Sequence, residues 1–348
     1  ENLNFSHYKF GNFFWMNSIN QLISDIKKNK FAPIYFLMGD ETYYIDMISD
    51  HIESHVLTDQ EKGFNQVVLY GKDVSVQDII SHAKRYPMMA DRQVVIVKEA
   101  QNLTKTIEQL VDYVKNPQLS TVLVFNYKYK TLDKRKALYK SLSKSAIVFD
   151  SKKIYEDKVP AWIQNFLKSK LITITPKAAL MLTEFLGNDL SKISNELNKL
   201  EIVIGVEKLI TPEIIEQNIG ISKDFNNFEL QKSIGNLDHV KAYKIVNYFA
   251  QNPKQHPFVL TISILYLYFT KLMTLHTVGV KNPTALSKAL GVNPYFVGEY
   301  IAVSKNFPMK RISGVFETLR MYDIKSKGVD ANLGHKDLYN ELIYNILK

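Results

Sequence analysis

From Met16 to Asp150, short β-branched apolar runs alternate with stretches whose apolar residues recur every three or four positions. That is the pattern of a parallel sheet crossed by helices. It predicts strands over Ile34–Leu37, Gln66–Leu69, Val94–Val97, Thr121–Phe125 and Ala146–Phe149. Helices are predicted over Glu41–Ser54, Val76–Tyr86 (stopped by Pro87), Thr106–Lys115 and Asp133–Leu142. Beyond Asp150 strand signals nearly vanish. Val159–Lys168, Pro176–Leu186, Leu190–Leu200 and Thr211–Ile219 read as short helices, with Pro176 and Thr211-Pro212 at helical starts. From Asn227 the helical period dominates, through Val240–Ala250, Pro257–His276, Pro283–Leu290, Pro294–Lys305, Met309–Lys327 and Lys336–Leu347.

The expected organisation is therefore α/β plus all-α. An α/β domain spans residues 16–155, a small helical domain 156–221 and a larger helical domain 222–348. Residues 1–15 read as an N-terminal extension, either frayed or packing Phe13, Phe14 and Trp15 onto the body. The length of 348 residues and an apolar fraction of 46% suit two or three such domains. With 14 glycines and 11 prolines, turns are too sparse for a many-stranded sandwich. The absence of cysteine excludes disulfides, thiolate metal sites and thiol nucleophiles. The greasiest stretch, Phe258 to Leu275, is broken by Thr, Ser, Tyr and Lys, so no membrane span is expected.

Charge points toward a polyanion. The net charge is +9, and residues 222–348 alone carry +7. Clustered lysine can hold phosphates, but Arg85, Arg92, Arg135, Arg311 and Arg320 are the only arginines, so bidentate reading of guanine edges is not expected. A lysine-rich compositional bias explains the same numbers.

Catalytic patterns are missing or broken. The first strand runs into Gly39-Asp40-Glu41, where a P-loop would wrap phosphates. No Gly-Lys-Ser/Thr follows, and Asp40 and Glu41 place carboxylates where the anion would sit. The Val94–Val97 strand ends in Lys98, where a metal-holding acid is needed. His51 and His55 have the spacing of two metal ligands but no third, and read as surface histidines. No metal, cofactor or activity of the chain's own is expected. One non-catalytic feature stands out: Tyr86-Pro87-Met88-Met89-Ala90-Asp91-Arg92 puts two methionines at the tip of a connection. Either both tuck under the sheet, or they are offered to a partner's apolar pocket.

Residues 30–348 resemble the delta subunit of the bacterial DNA polymerase III clamp loader, a degenerate AAA+ family. The resemblance is carried by Ile34–Glu41, Pro87–Val95, Gly187-Asn188-Asp189-Leu190 leading to Asn195–Leu200, and Asp323-Ile324-Lys325-Ser326-Lys327. It implies an AAA+ domain, a helical lid and a helical collar. It also implies a wedge that enters and opens the ring-shaped sliding clamp (beta), with Met88 and Met89 replacing the family's typical Leu-Phe and Tyr86, Pro87 and Arg92 flanking them. Gly39, Asp40, Glu41 and Lys98 would form a dead nucleotide site, and Leu190 stands where an active lid has its sensor arginine. The implied partners are the gamma or tau and delta prime subunits and primer-template DNA. Lys310, Arg311, Lys325 and Lys327 are candidate phosphate contacts, and the implied setting is the cytoplasmic replisome, within the DNA-directed DNA polymerase holoenzyme. The rival readings are a nucleic-acid-binding scaffold with an inactive AAA+ fold and a P-loop ATPase with a divergent loop.

Overall fold

The computed structural model describes residues 15–205, 208–279, 282–329 and 333–348. The expected N-terminal extension therefore lies outside the described residues, apart from Trp15. The chain forms two compact units, Glu1–Ile154 and Tyr155–Lys348.

In the first unit the order is α1 (Trp15–Lys27), β1 (Ile34–Gly39), α2 (Thr42–His55), α3 (Asp59–Asn65), β2 (Gln66–Tyr70), α4 (Val76–Ala83), β3 (Gln93–Lys98), α5 (Val111–Lys115), β4 (Thr121–Lys128), α6 (Ala137–Ser145) and β5 (Ile147–Ser151). All strands pair in parallel in the order β2-β3-β4-β1-β5. β1 is central, with Phe36 in register with Phe125 on one side and Val148 on the other. Ile34 through Met38 are fully buried, as a strand covered on both faces must be. Ile34, Phe36 and Met38 join a core with Ile79, Leu110 and Leu138 from the α4–α6 side. By the twofold period of a strand, Tyr35 and Leu37 point to the other face. The Tyr35 hydroxyl accepts from Ala32 N at 3.0 Å, and burial pushes its pKa up to about 12.

The second unit holds α7 (Val159–Lys168), β6 (Thr173–Ile174), α8 (Pro176–Leu186), α9 (Leu190–Val203), β7 (Leu209–Ile210) and α10 (Pro212–Ile219). α11 (Asn227–Gly235), α12 (His239–Gln251), α13 (Phe258–Thr277), α14 (Pro283–Leu290), α15 (Val297–Ser304), α16 (Met309–Ser326) and α17 (His335–Leu347) follow. The strand pair β6-β7 is a small departure from the all-helical expectation; two-residue strands are too short to show a period. Among the described residues α13 alone is long and apolar enough to cross a membrane. Here it is a core helix, burying Phe258, Ile262, Leu265, Phe269 and Leu272 in a cluster with Phe249, Phe307 and Leu342. Helices on either side of the expected 221/222 boundary are joined by ions. The carboxylate of Glu229, 5% exposed, accepts from Lys177 Nζ at 2.6 Å and also from Lys241 Nζ. Glu184 of α8 accepts from the Asn227 backbone N–H at 2.7 Å.

Candidate functional site

The carboxyl end of a parallel α/β sheet is where a nucleotide would be held. Only Asp40 and Glu41 separate β1 from α2. A backbone cradle for phosphates needs a longer loop whose N–H groups converge on the anion. Instead the connection is pinned to β5: Glu41 N donates to Ser151 O at 3.2 Å, and Ser151 Oγ donates to Glu41 O at 2.7 Å. Gly39 permits this approach. Its φ is +125°, and a Cβ there would lie 2.0 Å from Ser151 O.

The two expected carboxylates divide their positions. Asp40 is exposed, whereas Glu41 is buried and turns back so that Oε1 accepts from Tyr43 N at 3.1 Å, as an N-cap. The helix terminus that would attract phosphate is thus capped by the chain's own anion. Lys98, at the end of β3, lies 3.9 Å from Glu53, and Lys128, at the end of β4, lies 2.8 Å from Asp46. Between them, burial and then the neighbouring Asp46 push the Asp50 carboxyl up. The strand-end lysines are neutralised by α2, leaving an acidic helix face where a triphosphate would bring negative charge. His55 Nδ1 lies 2.9 Å from His51 O, and no group of three potential metal ligands occurs among the described residues.

At the opposite end of the sheet lies the Tyr86–Arg92 connection. α4 stops at Ala83, three residues short of expectation. Its last carbonyls and those just after it are met from β3, β4 and α5: Thr121 Oγ1 donates to Ala83 O at 2.8 Å, Tyr113 OH to the same oxygen at 3.3 Å, and Gln93 Nε2 to His82 O at 3.3 Å and to Arg85 O. Pro87 then holds Tyr86 out of the helical region.

The next residue is clamped. Met88 N donates to Asn65 Oδ1 at 2.6 Å, while Asn65 Nδ2 donates to Met88 O at 2.9 Å and Glu61 O at 3.1 Å. The Asn65 amide thereby stands in for a strand partner and fixes the Met88 backbone. Met89 follows at φ +52°, a left-handed conformation unfavourable for a long side chain. Met88 is 62% exposed, Met89 101% and Tyr86 79%. The reading in which both methionines tuck under the sheet is therefore wrong: both side chains stand in solvent. Arg92 lies 5.7 Å from the Phe31 ring centroid and donates from Nη1 to Leu119 O at 3.3 Å. Sequence reasoning missed Asn65, because no spacing rule links a residue at the end of α3 to a loop 23 positions later.

The four phosphate-contact candidates do not converge. Lys310 is exposed in the first turn of α16, and Lys325 lies 15 residues on, roughly 22 Å along a helix. Lys325 Nζ is 3.6 Å from Glu341 and 4.8 Å from the Tyr322 ring centroid, and Lys327 is paired with Asp323 at 2.7 Å. Arg311 is turned inward. It donates to Asn306 O at 3.1 Å and Leu347 O at 2.9 Å and covers the Phe307 ring at 4.4 Å, so its guanidinium caps the end of α17.

Comparison with known proteins gives a consistent set of matches. Residues 35–152 match the family model described as DNA polymerase III, delta subunit. The DNA polymerase III subunit delta of Bacillus subtilis (strain 168) is 27% identical over 314 residues, 87% of this chain and 90% of that protein. The solved structure of the Bacillus subtilis DNA clamp loader delta protein superposes with a TM-score of 0.53 at 23% identity, covering 94% of this chain and 99% of that one.

Proposed function

We propose that the chain is a member of the DNA polymerase III delta-subunit family, whose model matches residues 35–152, and that it binds the sliding clamp through Met88 and Met89 and opens the ring without hydrolysing ATP. The observation that carries this reading is the pair itself: Met89 fully exposed in a left-handed conformation, beside a Met88 whose backbone is held by Asn65. Local strain and exposed apolar surface are both unfavourable in the free chain and are rational where a partner covers them. The neutralised carboxyl edge of the sheet fits a subunit that leaves ATP to its neighbours.

A wedge supplies no work stroke. It shifts the clamp's closed-to-open equilibrium only by the difference in its affinity for the two states. Buried Met88 and Met89 side chains do this if their pocket is complete only when the interface is sprung. In this account residues 156–221 act as the lid, and residues 222–348 join a collar with the gamma or tau and delta prime subunits. Primer-template phosphates are met by exposed collar lysines, Lys310 first among the four candidates. The chain would work in the cell interior with the replisome.

The test is a clamp carrying a fluorescent donor and acceptor across one subunit interface. Adding this chain without nucleotide is expected to lower energy transfer, and the Met88→Ala, Met89→Ala double variant to leave it unchanged. Clamp binding with no change in transfer would separate binding from opening and remove the second half of the proposal.

A further inference from the structure

Three neighbouring strands of the parallel sheet begin side by side: Gln66 is in register with Val94, and Gln93 with Thr121. Each is preceded by a large apolar residue in solvent. Phe64, 74% exposed, comes before β2; Met88 and Met89 before β3; Leu119, also 74% exposed, before β4. With strands about 4.8 Å apart, the three segments lie within roughly 10 Å across the sheet. Hydrogen bonds tie them together, through Asn65 to the Met88 backbone and through Arg92 to Leu119 O. Isolated exposed apolar residues are ordinary, but a row along one edge of a sheet is not.

The charge beside the methionines is positive, while α3, which carries Phe64, adds Glu61 and an Asp59 paired with Lys62. Lys84 and Arg85 are exposed at the end of α4, and neither is paired with a carboxylate among the described residues. Asp91 is the one acid of the connection.

We infer that the docking surface is a strip three strands wide, with Phe64 and Leu119 flanking the methionine pair, and that it seats in an apolar cleft of the sliding clamp whose rim is acidic. This rests on the clamp-binding reading above and extends it in area and charge. The methionines supply the deformable centre, Phe64 and Leu119 exclude water on either side, and Lys84 and Arg85 steer the encounter.

The experiment measures nucleotide-free clamp binding by the full chain, comparing Phe64→Ser, Leu119→Ser, the double methionine-to-alanine variant, and Lys84→Glu with Arg85→Glu. Ile202→Ser, at an equally exposed site in the helical unit, controls for simple loss of apolar surface. Phe64→Ser and Leu119→Ser are each expected to raise Kd about tenfold with an unchanged melting temperature, and Ile202→Ser to leave Kd alone. The charge reversal should slow association about tenfold at low salt and much less at high salt. If the double methionine variant loses binding while Phe64→Ser and Leu119→Ser stay within twofold of wild type, the strip is wrong and the wedge stands. Unchanged association after charge reversal overturns the acidic rim. No clamp binding by the wild type removes the strip and the wedge together.

Discussion

Met89 places stability and function in opposition at a single residue. Its left-handed backbone costs on the order of 1–2 kcal/mol for an ordinary side chain, and its full exposure returns no burial energy. Asparagine tolerates that conformation, so Met89→Asn is expected to raise stability by up to about 1 kcal/mol while weakening clamp binding. Paired thermal melts and binding titrations check this; a variant that melts lower would show that Met89 has contacts in the free chain. At Met88 the backbone matters as much as the side chain, since both amide atoms of Asn65 are committed to it. The methionine pair was legible in the sequence as an oddity of composition. Its exposure was not, because periodicity cannot say whether a residue at a loop tip folds inward, and the deciding contacts come from Asn65 and Thr121, far away in the chain.

Among elements, α8, α11 and α12 are held by one buried carboxylate. Burial works to raise the Glu229 pKa, but hydrogen bonds from Lys177 and Lys241 outweigh it and hold the carboxyl below its ordinary 4.5. A depressed folded-state pKa means stability that is fully present above that ordinary value and is lost as pH falls through the lowered one. Glu229→Gln is therefore expected to cost about 1–3 kcal/mol at pH 7 and less as pH falls toward the lowered value. Melting temperature against pH for both proteins reads this directly; parallel curves would show that the ion cluster adds nothing. Helices with their own start and stop signals were legible as they stand, as with Val159–Lys168, Pro176–Leu186 and Pro283–Leu290. Ends set by tertiary contacts were not. α6 begins at Ala137 instead of Asp133 because Asp133 Oδ1 accepts from Arg135 N at 2.9 Å and closes a turn instead of a helix. α3 escaped notice because it is a single short turn-rich helix containing Gly63, without an apolar period of its own.

At the scale of the whole molecule, the two ends of the parallel sheet have different roles. The carboxyl end, where the fold would hold a nucleotide, is closed by Gly39, Glu41 and Ser151 and neutralised by pairs between α2 and the strand-end lysines. Titration of the chain with ATP and magnesium is thus expected to show no binding heat at nucleotide concentrations up to millimolar, and a saturable signal would reopen that site. The amino end carries the exposed apolar row and its basic rim. The five strands and the loss of the P-loop residues were readable in advance, since they follow from strand periodicity and from missing residue types; the strand order was not, because periodicity within a strand says nothing of its neighbours. The physical closure of the site was not, because it depends on a glycine meeting a strand 112 residues away. The central claim is that the methionine pair is the clamp-binding wedge, and the most direct measurement is nucleotide-free binding to the sliding clamp of the chain's own source, wild type against the Met88→Ala, Met89→Ala variant. Burying two methionines contributes on the order of 1.5–3 kcal/mol each, so the account predicts tight wild-type binding and a rise in Kd of about a hundredfold or more in the variant. Equal binding by the two proteins, or none by the wild type, would contradict it.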